Sequence, residues 1–317
     1  MFLVRFGAGI GHEVPLLAVV ALGLVVGFVA GMFGVGGGFL LTPVLMYVFG
    51  VPAPVAVGSA LCQKCGTSIA SFAKYRKLKR GEPLIDFIMI GGSLIGVDAG
   101  TRLLGYLSQL PLLNLPNGHH APAVNLILDL LFILLLTFTS AFMFREAWQS
   151  RKKGVPVSAG EQGDKTVPGP LVTRVRIPPY IDLPHVGLKQ VSIPMMCYLG
   201  FLLGVASGIM GIGGGVIFLP ILIYGFGLSV RNAAGTGVLL LFVTVAVGTI
   251  EQALHGFVAI KLAMAILIGS SVGSQLGAMT TNRLPNHVLR LMFAGLVAAT
   301  VIMIGWDFIG LLLGKAG

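Results

Sequence analysis

Of the 317 residues, 56% are hydrophobic and only 10% charged, against about 25% charged in a soluble domain. That balance excludes water as the solvent for most of the surface. The formal net charge of +10 raises the question of nucleic acid. The basic residues, however, cluster in loops between apolar runs, which assigns them to membrane topology and anionic headgroups and predicts no nucleic-acid partner.

The N-terminal stretch MFLVRFGAGIGHEVPLL has one early arginine and no small-residue cleavage site after an apolar core. It does not read as a signal peptide. The first span, from Val14, is expected to serve as the insertion signal. Candidate spans in the first half are residues 14–33, 39–49, 54–73, 84–107 and 124–144, followed by a polar stretch over 145–193. The second half offers 194–210, 216–226, 232–254, 258–281 and 287–313. Most approach the roughly 20 residues that a helix needs to cross the hydrocarbon. The second member of each set is too short to span comfortably. The expected fold class is therefore an all-α polytopic membrane protein of about ten transmembrane helices or half-helices.

The two sets repeat. A shift of 177 positions superimposes LGLVVGFVAGMFGVGGGFLLTPVLMYVFG on LGFLLGVASGIMGIGGGVIFLPILIYGFG without a gap. Gly23, Gly27, Gly31, Gly34, Gly36, Gly37 and Gly38 fall on Gly200, Gly204, Gly208, Gly211, Gly213, Gly214 and Gly215. The register persists where Gly92, Gly96 and Gly100 meet Gly269, Gly273 and Gly277. An offset held that far marks a duplicated unit. The domain plan is a first transmembrane repeat over 14–144, a cytoplasmic polar linker over 145–193 and a second repeat over 194–313.

Charge orients the chain. Sixteen of the 21 basic residues fall in three places: 74–80, the central stretch, and Arg231, Arg283 and Arg290. All three can be cytoplasmic, as the positive-inside rule asks. The first half then crosses an odd number of times, so its copy is inverted, and both termini face outward. Re-entry by the two short segments would preserve the same parity.

Two glycine tracts form the strongest candidate site: Gly36, Gly37 and Gly38, and Gly213, Gly214 and Gly215. Adjacent glycines are costly in a helix, so the chain should unwind there. The next segment then starts with free backbone N–H groups and the positive end of its dipole, which suits an anion. Paired breaks at matching positions of two repeats point to a transporter's binding site. The bland alternative is close helix crossing through small residues.

Lys64 sits in the middle of the third span, where an ionisable group costs at least about 2.5 kcal/mol on the insertion scale. Gln63, Thr67, Ser68 and Ser71 accompany it, giving a hydrogen-bonding wall for an anion. Its alternative role is an ion pair with Asp98 or Asp129. Thr236, near the start of the eighth span, could add a polar ligand. Asp98, Glu251 and Gln275 are candidates for coupling or gating, with an Asp98–Arg102 pair and an interfacial ion pair at Glu251 as the simpler readings. The C-x-x-C of Cys62 and Cys65 has no second pair, so no metal is expected; packing is their simplest role. No nucleotide-binding or cofactor motif appears.

With these motifs, the chain resembles the TauE/SafE family of sulfite exporters, also called toluene sulfonate uptake permeases. The resemblance rests on GMFGVGGGFLLTPVL and its echo GIMGIGGGVIFLPIL, on GTGVLLLFVTVAVGTIEQALHG and on IGSSVGSQLGAMTTNRLP, and it covers nearly the whole chain. It implies secondary transport of sulfite, organosulfonates or related sulfur-containing anions across the bacterial cytoplasmic (inner) membrane, with no enzymatic activity. CQKCGTS departs from the family's pattern and bears on which anion is carried. The expected partners are a small anionic substrate and the lipid bilayer, with a homo-oligomer left open. An anion channel, or a thiol carrier using Cys62 and Cys65, are the alternatives.

Overall fold

A computed structural model describes residues 3–4, 14–33, 38–77, 82–114, 120–152, 177–183, 188–228, 233, 236–281 and 286–313. Among these, ten α-helices carry the architecture. They are α1 (Leu16–Phe33), α2 (Gly38–Tyr47), α3 (Ala53–Lys77), α4 (Pro83–Ser108), α5 (Ala123–Lys152), α6 (Ile193–Met210), α7 (Gly215–Pro220), α8 (Val238–Leu254), α9 (Ile260–Thr281) and α10 (Asn286–Leu313). Three short antiparallel hairpins are the described β-structure. Four helical segments, Pro83–Ser108, Ala123–Ala141, Ile193–Met210 and Ile260–Gly277, are long and apolar enough to cross a membrane. Large apolar side chains such as Phe87, Phe138, Leu134 and Ile268 point outward, as lipid-facing positions do. The protein is an all-α multi-pass membrane protein.

Helix limits follow the 177-residue shift. α1 and α6 begin at Leu16 and Ile193 and end at Phe33 and Met210; α2 and α7 begin at Gly38 and Gly215; α4 and α9 begin at Pro83 and Ile260. Each short helix is interrupted early. α2 has ten residues and contains Pro43, and α7 has six before a π-turn over Ile221–Gly225. At about 1.5 Å per residue, α2 covers roughly 15 Å, half the hydrocarbon thickness. Neither is a full span by itself.

The halves are joined by exchanged packing. α1 lies along α9, and α4 along α6. A Cβ added at Gly23, Gly27 or Gly31 would overlap the backbone of Ile266, Ser270 or Ser274, respectively. The repeat-related Gly200, Gly204 and Gly208 press on Met89, Ser93 and Val97 in the same way. Each partner helix answers with its own glycines: Gly269, Gly273 and Gly277 against α1, and Gly92, Gly96 and Gly100 against α6. Lipid tails are as apolar as leucine, so burying apolar surface does not drive helices together in a bilayer. Close backbone approach through small residues does. Small-residue crossing is thus extensive in these zippers, and it reaches the second tract too, where a Cβ on Gly211 would stand 2.9 Å from the Val57 carbonyl oxygen.

Two buried hydroxyls repeat the exchange. Ser59 Oγ accepts from the Ala259 N–H at 3.1 Å, and Thr236 Oγ1 accepts from the Glu82 N–H at 2.9 Å. Both pairs obey the 177 shift, and each ties down the start of the partner half's fourth helix, where backbone donors lack intrahelical acceptors.

Some expected limits move. The eighth span is broken at Gly237, which takes φ +95° at the N-cap of the helix from Val238, while Ala233 before it is also helical and residues 229–232 and 234–235 lie outside the described residues. α5 runs on to Lys152, and a hairpin of Tyr180–Leu183 and Leu188–Ser192 buries Leu183, Leu188 and Val191 against Ile85, Met89 and Met196.

Candidate functional site

The second glycine tract unwinds as expected. α6 ends at Met210, and Gly211, Gly213 and Gly214 follow with φ of +68°, +67° and +76°, values that side-chain-bearing residues rarely adopt. α7 then starts at Gly215. Gly36 and Gly37 of the first tract lie outside the described residues, while Gly38 is the first residue of α2.

Lys64 brings the two tracts together. Its side chain is 3% exposed. A Cβ at Gly38 would overlap its Cε and Nζ, and one at Gly213 would stand 3.0 Å from Nζ. The ammonium therefore lies between the N-terminus of α2 and the unwound turn before α7. The same position at Gly38 is 3.1 Å from the Gly211 carbonyl oxygen, so the tracts approach each other at this point. Among the described residues Nζ has no hydrogen-bond partner. Neither carboxylate proposed as its ion-pair partner takes that role. Asp98 accepts from Arg102 Nε at 2.8 Å on the same helix, and Asp129 accepts from the Tyr47 hydroxyl. A Cβ at Gly38 would push the lysine's flexible end aside, while Gly213 is held to glycine by its φ of +67°.

The remaining predicted residues divide. Gln63 joins the buried wall: its Nε2 donates to Ser270 Oγ at 2.7 Å, and its Oε1 is unpartnered among the described residues. Ser68 is half-buried one turn beyond Lys64. Thr67 turns back to donate to the Lys64 carbonyl oxygen, and the Ser71 side chain lies outside the described set. Thr236 is drawn to Glu82 as a structural tie, because the α4 N-terminus needs an acceptor there. Gln275 is exposed on the outer face of α9. Cys62, Cys65 and Cys197 are free, half-buried thiols. Among the described residues no three His, Cys, Asp or Glu side chains gather to hold a metal.

Thr42 escaped the sequence reading. It is fully buried in α2, its Oγ1 has no partner among the described residues, and that oxygen is 3.1 Å from where a Cβ on Gly211 would stand. Its one signal was a hydroxyl inside a short apolar helix, facing Leu219 in the repeat register.

A second polar group surrounds Glu251 near the end of α8. Thr101, Asp98 and Arg102 of α4 border its carboxyl, with His255 just beyond. Arg102 is held by Asp98, and His255 Nδ1 contacts the Glu251 backbone oxygen at 2.8 Å. The interfacial ion pair expected at Glu251 does not form among the described residues, where Arg102, which faces it, is held by Asp98.

Known proteins similar over most of this chain are named as membrane transporters. A "Probable membrane transporter protein" of Xylella fastidiosa is 26% identical over 302 residues, covering 92% of this chain and 95% of the relative. The "Probable membrane transporter protein YunE" of Bacillus subtilis is 24% identical over 301 residues, covering 92% and 96%. A "Probable membrane transporter protein" of Methanocaldococcus jannaschii is 24% identical over 296 residues, covering 89% and 92%. No solved structure matches. The family described as "Sulfite exporter TauE/SafE" matches residues 19–304. With paired helix breaks, exchanged glycine packing and a full-length match, the chain is a membrane transporter belonging to the TauE/SafE sulfite exporter family.

Proposed function

We propose that the protein carries a small sulfur-containing anion, of the sulfite or organosulfonate class, across the cytoplasmic membrane as a secondary transporter. The anion binds at Lys64, between Gly38 at the start of α2 and the turn at Gly213 and Gly214. The observation that carries this reading is the buried Lys64 Nζ, which has no acceptor among the described residues and abuts both tracts. A desolvated ammonium is costly unless an anion accompanies it. The first N–H groups of α2 add donors and a positive dipole end at the same place. Thr42 and Gln63 supply further hydrogen-bonding atoms. The sulfur class comes from the family's description, and the tight glycine walls favour a compact anion.

Radiolabelled flux of sulfite, thiosulfate, sulfate and small sulfonates in proteoliposomes tests the substrate. Lys64→Gln removes charge while keeping hydrogen bonding, and should weaken anion affinity by about tenfold or more, since hydrogen bonds to charged groups contribute roughly 1.5–3 kcal/mol. Lys64→Arg keeps charge but not geometry and should retain partial activity. Unchanged affinity in folded Lys64→Gln removes the lysine from the site.

The inverted arrangement of the halves, with both termini outward, is part of this reading and is supported by the basic residues and by the exchanged packing. Single cysteines at positions 117 and 160, in a cysteine-free background, should label from opposite sides of intact cells. Labelling from one side sinks it.

A further inference from the structure

Glu82 and Asp86 place two carboxyls a turn apart at the start of α4, with only 2% and 3% of their surface exposed. Residues at that spacing are neighbours, roughly 5–6 Å apart at Cβ. Both dock on the same break. The Glu82 N–H donates to Thr236 Oγ1 at 2.9 Å, and the Asp86 carboxyl accepts from the N–H groups of Gly237 and Leu239 where α8 begins. Glu82 Oε2 and Asp86 Oδ1 remain buried with no hydrogen-bond partner among the described residues. Asp86 serves as a cap for α8. Glu82 is the N-cap residue of α4, yet its side chain makes no capping bond. The second repeat shows that the skeleton needs neither acid. The positions matching Glu82 and Asp86 under the 177-residue shift are Ala259 and Ala263, and Ala259 makes the same backbone tie, to Ser59 Oγ at 3.1 Å. Buried polar groups in native structures are almost always satisfied, and ionisable groups within spans mark ion sites and pathways.

We propose that Glu82 and Asp86 bind a sodium ion, and that sodium is the coupling ion of transport. The charge balance selects the class of cation. Two carboxylates bring two negative charges, and the N-termini of α4 and α8 that they adjoin contribute about +0.5 each. One monovalent cation brings that sum to zero, whereas a divalent one leaves an excess of about one positive charge. Hard cations take oxygen ligands, and broken spans supply them in secondary transporters. Here Glu82 Oε2 and Asp86 Oδ1 have no competing partner among the described residues, and Thr236 Oγ1 stands at the same break. That break also reaches the surroundings of the anion. A Cβ on Gly237 would overlap the ring of Phe218 in α7, and the Gly237 carbonyl accepts from the Leu241 N–H at 2.8 Å. Leu241 in turn borders the second tract, 3.6 Å from where a Cβ on Gly214 would stand. Sodium drawing the two carboxyls together holds the first turn of α8 against α7 and the tract. Without it, the like charges repel and loosen that turn.

This inference rests on the anion reading for its flux arm only. The first arm needs no substrate. Equilibrium dialysis of the full chain in lipid nanodiscs against radiolabelled sodium should show saturable binding in the wild type, and sodium should raise its Tm. Glu82→Gln should weaken sodium binding by about tenfold or more, the order of one lost charged partner, and lose the sodium-dependent rise in Tm. In sodium-free buffer its Tm should match or exceed that of the wild type, because an unpaired buried charge is gone; a merely structural carboxyl would give a drop. Asp86→Asn keeps an acceptor for the α8 N–H groups and should weaken sodium as well. Absence of saturable binding in the wild type, or equal affinity in folded Glu82→Gln, overturns the proposal. In the second arm, with the membrane potential clamped at zero, a sodium gradient of about tenfold should concentrate labelled sulfite about tenfold in proteoliposomes at one-to-one coupling. A potassium gradient in its place should concentrate none. Accumulation driven by a pH gradient alone and indifferent to sodium overturns the coupling role. A wild type that moves no sulfite under any gradient sinks the substrate assignment alone, and the dialysis still decides the sodium site.

Discussion

The two halves of this transporter share a skeleton and differ in what they carry. Under the 177-residue shift, the glycine contacts of α1 on α9 become those of α6 on α4, and the Ser59–Ala259 tie becomes Thr236–Glu82. The chemistry does not repeat. Leu241 stands where the first half has Lys64, Leu240 replaces Gln63, Leu219 replaces Thr42, and Lys74 takes the place matching Glu251. Duplication preserves what holds backbones together, because a zipper needs glycine on both sides of each crossing. Polar side chains in the interior are free to diverge, since one ammonium at a shared centre suffices and a second would repel it.

The comparison can be broken first at the zippers, where the largest effects are expected. Gly27→Leu and Gly204→Leu each drive a side chain into facing backbone, at Ser270 and Ser93. Each should cost more than about 3 kcal/mol, the upper range for overpacking, and abolish folded protein in detergent. A folded, stable variant of either would remove the zipper from the skeleton. Similar losses at the two matched positions are what a symmetric skeleton requires.

The centre offers a sharper test. Leu241 lies 3.6 Å from where a Cβ on Gly214 would stand, so it borders the second tract much as Lys64 borders the first. Lys64→Leu combined with Leu241→Lys should recover part of the anion affinity lost in Lys64→Leu alone, by about tenfold, the order of one charge-assisted hydrogen bond. Binding assays on purified protein decide it. No recovery would mean that Thr42 and Gln63, which have no polar counterparts, matter as much as the charge.

Smaller effects should appear at the hydroxyl ties. Ser59→Ala and Thr236→Val each leave a buried N–H unpaired and should cost about 1–3 kcal/mol, seen as comparable drops in Tm. A large drop at one and none at the other would show the tie to be one-sided. The least change is expected for Asp98→Asn. Its pair with Arg102 is an i,i+4 contact whose members are 44% and 75% exposed, and such pairs contribute less than about 1 kcal/mol. A loss well beyond that would place Asp98 in the Glu251 group as an active member.

Sequence alone determined the membrane class, the duplication, the helix breaks at the glycine tracts and the anomaly at Lys64. Each of these is a local matter. Hydropathy sets which segments leave water, a fixed offset reveals a copy, adjacent glycines cannot hold a helix, and a mid-span charge stands out against its neighbours. Helix starts such as Ile193 and Ile260 fell within two residues of expectation for the same reason. What surrounds each residue was decided only by tertiary packing. Thr236 read as a loose polar ligand until the partner half's fourth helix arrived with an unpaired N–H group. Thr42 looked like an ordinary helix residue until packing buried its hydroxyl with no partner among the described residues, and Gln252 until packing brought its amide to the Gly208 carbonyl. The meeting of Lys64 with Gly38 and Gly213 spans about half the chain. No local pattern encodes it, because it arises only when α1 docks on α9 and α4 on α6, carrying both broken helices to one place.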